Sequence, residues 1–259
     1  INVSCEGENV RGVDIEIGFN FRSIELLAQR RNYIQDITLV ERVCGICSNT
    51  HTMTFCMAAE MVAGITLPAR ATYIRVILAE LERLHSHLLW SGVAAELIGF
   101  QTVFMEVFAL RELVMDVLES ISGNRVNYAM NCIGGVNRDL SDTEDILNAV
   151  RRIEKGINSL LIPIFTTDPT VKARTAGVGI LTRADALAYG AVGPTARASG
   201  VDYDVRVDLP YAAYAELGTK KVVETAGDVQ ARVVVRALEM LESIRLIEKA
   251  LKELPSGPI

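Results

Sequence analysis

One helical stretch decides the fold of this sequence: residues 68–99 read PARATYIRVILAELERLHSHLLWSGVAAELIG. Pro68 suits the first turn of a helix, where its missing N–H is not needed. Gly99 suits the residue after the last turn, where the backbone often turns left-handed. Apolar residues cover more than half of the circumference between these ends, as in a central helix. The stretch therefore predicts one long, largely buried helix from Pro68 to about Ile98.

Further helices and a hairpin are predicted on either side of this helix. Val13, Ile15 and Ile17 alternate with acidic residues, which predicts the half-buried second arm of a hairpin with arms at 3–5 and 10–18. Apolar spacings of three and four, with a capping box of Ser141 and Glu144, predict helices at 21–31, 33–43, 49–63, 103–121, 141–161, 183–189 and 229–253, and a strand-like stretch covers 171–181. The fold class is thus mainly α with small β elements (α+β): a central long-helix bundle with an N-terminal β-hairpin, in one domain over 1–259.

The composition narrows the classes of function. Half of the 259 residues are hydrophobic and 22% are charged, which allows a sizeable core and argues against disorder. A net charge of −6, with no block of like charge, indicates no nucleic-acid partner. The apolar run 88–110 is interrupted by Glu96 and Glu106, so no membrane span is predicted. The start at Ile1, inside a strand-like pattern, predicts a fragment or a trimmed chain.

A cysteine pair is the strongest local signal for chemistry. In Cys44-Gly45-Ile46-Cys47, the spacing places both sulfurs on one side of a turn, and Gly45 allows close backbone approach. His51 follows Cys47 by four residues, one helical turn along the same face. The five cysteines are too few and too uneven for a secreted disulfide framework and fit a reducing cytoplasm. Such a pair holds one metal jointly or forms a redox disulfide.

Three other interpretations of the pair remain open at this point. The cysteines are simply core residues in the first. A structural zinc site would need four ligands and usually two such pairs, and the sequence has no second pair. A thioredoxin-like motif would follow a strand, whereas the segment before Cys44 has a helical pattern. The spacing favours half of a metal site, with the other ligands elsewhere.

Two further segments carry weaker signals. His85 and His87 are two residues apart and point to nearly opposite sides of a helix, so they cannot both serve one site. A lone histidine on a long helix is more often a satisfied core residue than a ligand. The glycine- and proline-containing segment 191–214 is typical of a structured surface turn. The charged faces of helix 236–252 are interpreted as solvated.

Taken together, these segments resemble one family, the large subunits of [NiFe]-hydrogenases of the membrane-bound, energy-converting type. Arg42-Val43-Cys44-Gly45-Ile46-Cys47 with His51 is similar to the N-terminal metal motif of those subunits. The stretches that resemble the subgroup related to respiratory complex I are Glu80–Leu89, Ser122–Arg125, Gly134–Val136 with Arg138-Asp139, Arg197–Gly200 and Asp202–Arg206. The resemblance covers essentially the whole chain in collinear order. The hydrogenase-like subunit of complex I itself lacks the metal cysteines, so the hydrogenase branch matches better.

The resemblance implies a nickel–iron centre with cyanide and carbon monoxide ligands on the iron. By resemblance, Cys44 is a terminal nickel ligand and Cys47 bridges nickel and iron. His51 is expected to orient or hydrogen-bond a cysteine sulfur. The second metal motif of the family is not found within residues 1–259, and neither is its usual N-terminal segment. The fragment is therefore expected to hold only half of the cysteine ligands and to be inactive alone.

The resemblance also implies an electron and proton path. His87 matches a histidine near the proximal [4Fe-4S] cluster of a partner subunit, and Arg22 is expected to face the same region. Glu41, next to the cysteine motif, is a candidate proton relay. The family pattern before the second helix is replaced here by Phe21-Arg22-Ser23, a departure that affects the assignment of Arg22.

The implied partners are a small hydrogenase subunit carrying [4Fe-4S], membrane subunits of the complex and, indirectly, ferredoxin. The implied function is reversible H2 formation coupled to electron transfer and ion translocation, at the cytoplasmic face of the cell membrane. Two alternatives stay open. One is a metal-free redox or scaffold subunit like that of complex I, with quinone or sulfur chemistry. The other is a zinc-stabilised helical interaction protein.

Overall fold

A computed structural model describes residues 1–259 and shows a helical bundle with two small antiparallel hairpins. The mainly α prediction is confirmed. The elements are β1 (Asn2–Glu6), β2 (Asn9–Asp14), α1 (Ile24–Ala28), α2 (Tyr33–Glu41), α3 (Ser48–Ala63), α4 (Ala69–Ile98), α5 (Gln101–Ser122), β3 (Asn131–Cys132), β4 (Gly135–Val136), α6 (Thr143–Gly156), a π-helical turn (Ile157–Leu161), α7 (Ile162–Thr167), α8 (Pro169–Thr175), α9 (Arg183–Ala188), α10 (Gly193–Ala198), α11 (Val205–Asp208), α12 (Tyr214–Leu217) and α13 (Val229–Lys252).

Helix α4 is the centre of the bundle and packs against both α5 and α13. Ile74, Leu81 and Leu88 along it are fully buried and belong to one large apolar core. The helix ends at Gly99, whose φ of 99° is left-handed, because a residue without a Cβ adopts that conformation at little cost. The predicted central helix is confirmed, with Pro68 as its N-cap. Burial on most of its circumference means that α4 can present side chains to several neighbours at once.

The N-terminal hairpin forms where the alternating pattern predicts it but is not half-buried. β1 pairs antiparallel with β2, and every residue of both strands is exposed. The second arm ends at Asp14, so Ile15 and Ile17 lie beyond it and are exposed as well. Alternation shows that two faces differ in polarity, but it does not show that anything covers the apolar face.

Several local predictions are corrected by the structure. The stretch 171–181 is not a strand: helix α8 covers Pro169–Thr175, because Asp168 accepts hydrogen bonds from the N–H groups of Thr170 and Val171 and so caps a helix. The helix predicted over 21–31 is only α1. The Ser141–Glu144 capping box does not form, since the N-cap is Asp142.

Two charged segments are more buried than their composition suggests. Arg197, Asp204 and Arg206, in the segment predicted to be a surface turn, are almost completely buried. Glu239 on α13, predicted to be solvated, is 0% exposed. These charges find opposite charges inside the bundle, which is the condition under which charged side chains are buried. None of the helices combines the length and apolar character that a membrane crossing requires.

Candidate metal centre

The loop that joins α2 to α3 holds both cysteines of the pair. Cys44 and Cys47 are half-buried and not in a disulfide, and their thiols lie within hydrogen-bonding reach of each other. The N–H of Ile46 donates to the sulfur of Cys44 at 3.3 Å, which folds the loop back on itself. The spacing prediction that both sulfurs face one side of a turn agrees with this geometry. Two converging thiols can share one soft metal ion.

The two thiols have opposite shifts in acidity. Burial alone would raise the pKa of Cys44, but a hydrogen bond from the Cys47 thiol and the N–H groups of Ile46 and Cys47 together lower it. Burial and the bond to Cys44 raise the pKa of Cys47 to about 12. Cys44 is thus the first of the two to become a thiolate. A metal that binds both sulfurs requires both thiols to lose their protons.

A carboxylate from α4 caps the helix that begins after Cys47. The N–H groups of Asn49 and Thr50 donate to Glu82 at 2.6 and 2.8 Å, and the hydroxyl of Thr50 donates at 2.6 Å. The side chain of Cys47, the N-cap residue, makes no capping bond. Burial raises the pKa of Glu82, although the bonds from Thr50 and Asn49 oppose that shift. A residue 32 positions further along the chain from Thr50 therefore takes the place of a local N-cap.

His85 lies one helical turn beyond Glu82 and borders the same loop. It is 0% exposed, and the Arg111 guanidinium contacts its Nε2. Burial, followed by Arg111, lowers the pKa of His85 to about 4, against a smaller opposing effect of the Ile46 carbonyl. Nδ1 has no hydrogen-bond partner of normal geometry. The ring is therefore neutral at physiological pH, with one nitrogen held by Arg111 and the other directed at the cysteine loop.

The remaining predicted residues near the pair lie around the same loop. Arg22 is exposed and donates to the carbonyls of Arg42 and Val43 at 2.6 and 2.8 Å, which ties the start of the loop to the N-terminal segment. Glu41 is 2% exposed and accepts the N–H of Ala129 at 2.8 Å. His51 lies on the first turns of α3 and is half-buried, with its N–H bonded to the carbonyl of Cys47.

His87 does not face the cysteine loop. It is almost completely buried, and its Nε2 lies 2.8 Å from a carboxylate oxygen of Glu239 on α13. Arg197 donates two bonds to the other oxygen of Glu239. The network continues through Asp204 and Arg206 to Glu80. The two histidines of α4 therefore have separate neighbourhoods, as their spacing predicts.

Two residues at the loop, Glu82 and His85, were missed as site residues by the sequence interpretation. Their signal was the three-residue spacing, which puts a carboxylate and an imidazole on one face of a helix. This spacing alone does not show that the face of α4 with Glu82 and His85 lies against the cysteine loop. Neither at this loop nor elsewhere in residues 1–259 do three or more His, Cys, Asp and Glu side chains come together as a metal cage; the cysteine pair by itself supplies two ligands, whereas a structural zinc site uses four.

Two protein-family models together match nearly the whole chain. Residues 98–259 match the model of the respiratory-chain NADH dehydrogenase 49-kDa subunit, and residues 22–91 match that of the nickel-dependent hydrogenases. The carbon monoxide-induced hydrogenase of Rhodospirillum rubrum is 42% identical over 99% of this chain. The chain belongs to the family of nickel-dependent hydrogenase large subunits and complex I 49-kDa subunits. The family resemblance stated from the motifs is thereby confirmed.

Both hydrogenase and dehydrogenase subunits are among the proteins similar to the chain. The membrane-bound hydrogenase subunit alpha of Pyrococcus furiosus is 42% identical over 99% of the chain. A subunit of the F420H2 dehydrogenase of Methanosarcina mazei is 38% identical over 100% of it. The chain spans 72%, 62% and 70% of the length of the Rhodospirillum, Pyrococcus and Methanosarcina proteins. The family thus includes hydrogenases and dehydrogenases, and the chain is a hydrogenase-like subunit of an oxidoreductase complex.

Proposed function

We propose that the chain is the large, catalytic subunit of an energy-converting [NiFe]-hydrogenase that interconverts H2 with protons and electrons. The observation that carries this proposal is the converging pair of Cys44 and Cys47. It lies inside the segment that matches the nickel-dependent hydrogenases. Soft thiolate ligands select transition metals, whereas carboxylate and carbonyl oxygens suit ions such as magnesium.

Within this proposal, Cys44 and Cys47 would hold the nickel–iron centre through their sulfurs, with the two roles that the family resemblance implies for them. A nickel–iron centre, with cyanide and carbon monoxide on its iron, supplies the two-electron chemistry that H2 requires. The pair fits half of such a donor set, and the other two thiolates come from a part of the protein outside these 259 residues. The position of both thiols in one loop, folded back by the bond from the Ile46 N–H to the sulfur of Cys44, supports joint metal binding.

Other residues of the loop have proposed supporting roles. His51 orients a cysteine sulfur from the first turns of α3. Glu41, buried beside the motif with one oxygen bound by a backbone N–H, exchanges protons with the site. Arg22 holds the start of the loop, and His87, in its buried bond to Glu239, influences the potential of a [4Fe-4S] cluster on a small partner subunit. These roles are assigned by the family resemblance and are compatible with the contacts.

The proposed complex includes the small [4Fe-4S] subunit and membrane subunits, with ferredoxin as a low-potential electron donor. Its coupling to ion translocation is a property of those membrane partners. Ile17, Phe19 and Phe21 are exposed apolar side chains on the N-terminal segment. Exposed apolar side chains often mark a surface that another protein covers, which supports contact with other subunits of the complex. Membrane attachment through partners places the chain at the inner face of the cell membrane.

Metal analysis of the intact complex tests the proposal. We expect stoichiometric nickel together with H2–D2O exchange activity, and we expect Cys44→Ser to lose both. Cys5→Ser is the matched control, because Cys5 lies exposed on β1. Absence of nickel from the fully matured wild-type complex, or retention of nickel by Cys44→Ser, would overturn the assignment.

A metal-free, complex I-like subunit is the second candidate. The match of residues 98–259 to the NADH dehydrogenase 49-kDa subunit favours it. So does the 37% identity to a subunit of the NADH-quinone oxidoreductase of Sinorhizobium medicae. This candidate predicts quinone-dependent electron transfer without nickel, and Cys44→Ser would then leave the activity of the complex unchanged.

A further inference from the structure

A buried carboxylate from another helix accepts the free N–H groups in the first turn of α3, where the Ser48 hydroxyl also donates to the Val126 carbonyl. Glu82 is 2% exposed and accepts from the N–H groups of Asn49 and Thr50 and from the Thr50 hydroxyl. The Ser48 hydroxyl lies 3.5 Å from the same carboxylate. The first N–H groups of a helix have no partner within it. Glu82 therefore decides where α3 begins, and with it where the backbone of Cys47 lies.

The rest of the cysteine loop has little support of its own. Its internal hydrogen bond runs from the Ile46 N–H to the sulfur of Cys44. Arg22 holds the carbonyls of Arg42 and Val43 at its start, and Glu82 holds its end. A short loop fixed at both ends keeps its side chains in a narrow range of orientations.

His85 adds a second contact from the same face of α4. Its Nε2 is held by Arg111, and the carbonyl of Ile46 lies close enough to affect the ring. The distance of three residues from Glu82 to His85 is one helical turn. The buried face of α4 thus holds the loop directly after Cys47 through Glu82, and His85 borders the loop without a hydrogen bond of normal geometry to it.

We propose that Glu82 is a positioning residue that sets the separation and orientation of the Cys44 and Cys47 sulfurs for joint metal binding. The proposal deepens the proposed function and rests on it only for the nickel measurement. Its geometric part, the placement of the two thiols, holds whether or not a metal binds.

The test uses the complete complex with Glu82→Ala, Glu82→Gln and a control, Glu96→Gln. Glu96 is an exposed residue of the same helix, so the control makes the same chemical change away from the loop. Two measurements are made without metal: amide hydrogen exchange at Asn49 and Thr50, and alkylation of Cys44 and Cys47 by iodoacetamide, followed by peptide mass spectrometry. A third is the nickel content of the matured complex.

In Glu82→Ala, exchange at these two amides and alkylation of both thiols should accelerate about tenfold or more, because the amides lose their buried acceptor. Glu82→Gln keeps one acceptor oxygen and should restore part of the protection and part of the nickel content. The control should match wild type in every measurement. The inference is wrong if Glu82→Ala and Glu82→Gln exchange and alkylate at the wild-type rate. The inference is also wrong if both variants exchange and alkylate faster than wild type while their nickel content stays at the wild-type level.

The experiment distinguishes failure of the proposed hydrogenase function from failure of the positioning role of Glu82. A wild-type complex without nickel contradicts the proposed function, but the exchange and alkylation rates still decide the placement of the thiols. If Glu82→Ala does not accumulate as folded complex, Glu82→Gln carries the comparison. That variant has nearly the shape of the wild-type side chain and removes only one acceptor and the charge.

Discussion

Two glutamates of α4, two residues apart, have opposite properties. Glu82 faces the cysteine loop and is held only by neutral N–H and O–H donors, and burial raises its pKa. Glu80 faces α13 and the segment around Arg206, and Arg83 and Arg206 hold its pKa at about 2 against the effect of burial. The helix is the same and the residue type is the same. The partner, and not the residue, decides the charge of a buried carboxylate.

The two faces of α4 that carry Glu80 and Glu82 have different roles. On the Glu80 face, Tyr214 and Ser243 also donate at 2.6 Å, so this face joins α4 to α12 and α13 through a fully satisfied ionic network. On the Glu82 face, the helix holds a loop that carries chemistry, and Nδ1 of His85 is left without a partner. Buried groups with incomplete partners concentrate at functional sites.

The largest effect is expected on the ionic face. Glu80→Gln leaves the buried guanidinium of Arg206 without part of its charge balance, and removal of one partner from a buried pair typically destabilises a protein by about 3–5 kcal/mol. Denaturant unfolding of the purified protein measures this loss. Glu112→Gln, in the exposed pair with Arg125, is the control and should have little effect. Equal losses in the two variants would contradict the importance of the network.

The acid response of the same variant gives an independent check. Because the pKa of Glu80 is about 2 in the fold and about 4.5 when unfolded, its contribution to stability is complete above pH 4.5. That contribution is lost as the pH falls towards 2. Stability of wild type should therefore fall more steeply than that of Glu80→Gln over this window. Parallel curves would show that Glu80 is not ionised in the fold.

On the loop face, His85 should produce a pH effect at a higher pH. Its pKa of about 4 in the fold lies below the unfolded value, so the unfolded chain binds the proton more tightly. Stability is lost as the pH falls from about 6.5 towards 4. The loss attributable to His85 between pH 7 and pH 5 is about 2 kcal/mol. His85→Gln, which keeps a neutral acceptor for Arg111, should show a correspondingly flatter curve in thermal unfolding.

A smaller effect should separate the two histidines. Burial lowers the pKa of His87, and the bond to Glu239 opposes that shift. Removing the charge with Glu239→Gln should therefore lower the pKa of His87 further. Nitrogen-15 NMR of the imidazole measures the change, with His85 in the same sample as the internal control. A rise in the His87 pKa would contradict the role of Glu239.

The smallest effect concerns the glycine inside the cysteine motif. A Cβ added to Gly45 would lie 3.5 Å from a side-chain carbon of Val126, an ordinary contact. Gly45→Ala should thus change the free energy of unfolding by less than about 1 kcal/mol. Gly99→Ala is the contrasting control, because its φ is 99° and its Cβ would meet Arg174 at 2.7 Å. A large loss in Gly45→Ala would restore the close-approach role that the motif suggested.

Sequence patterns predicted the helices well where residues close together in the chain determine the helix and its ends. The extent of α4 and its stop at Gly99 follow from side-chain periodicity and from the conformational freedom of glycine. The hydrogen-bonding reach of Cys44 and Cys47 also follows from their spacing. The prediction of a strand-like stretch at 171–181 was wrong because Asp168 caps a helix that begins at Pro169.

The sequence by itself determined the central helix, the cysteine pair and the family, because each depends on residues close together in the chain or on collinear motifs. Tertiary structure alone decided which residues support the pair. Glu82 caps a helix that begins 34 positions earlier at Ser48, and Arg197 and Arg206 are buried only because α13 and α4 bring carboxylates to them. Contacts between residues far apart in the chain depend on how helices pack. The periodicity of a helix shows which face is buried, but not which residues of another helix that face will meet.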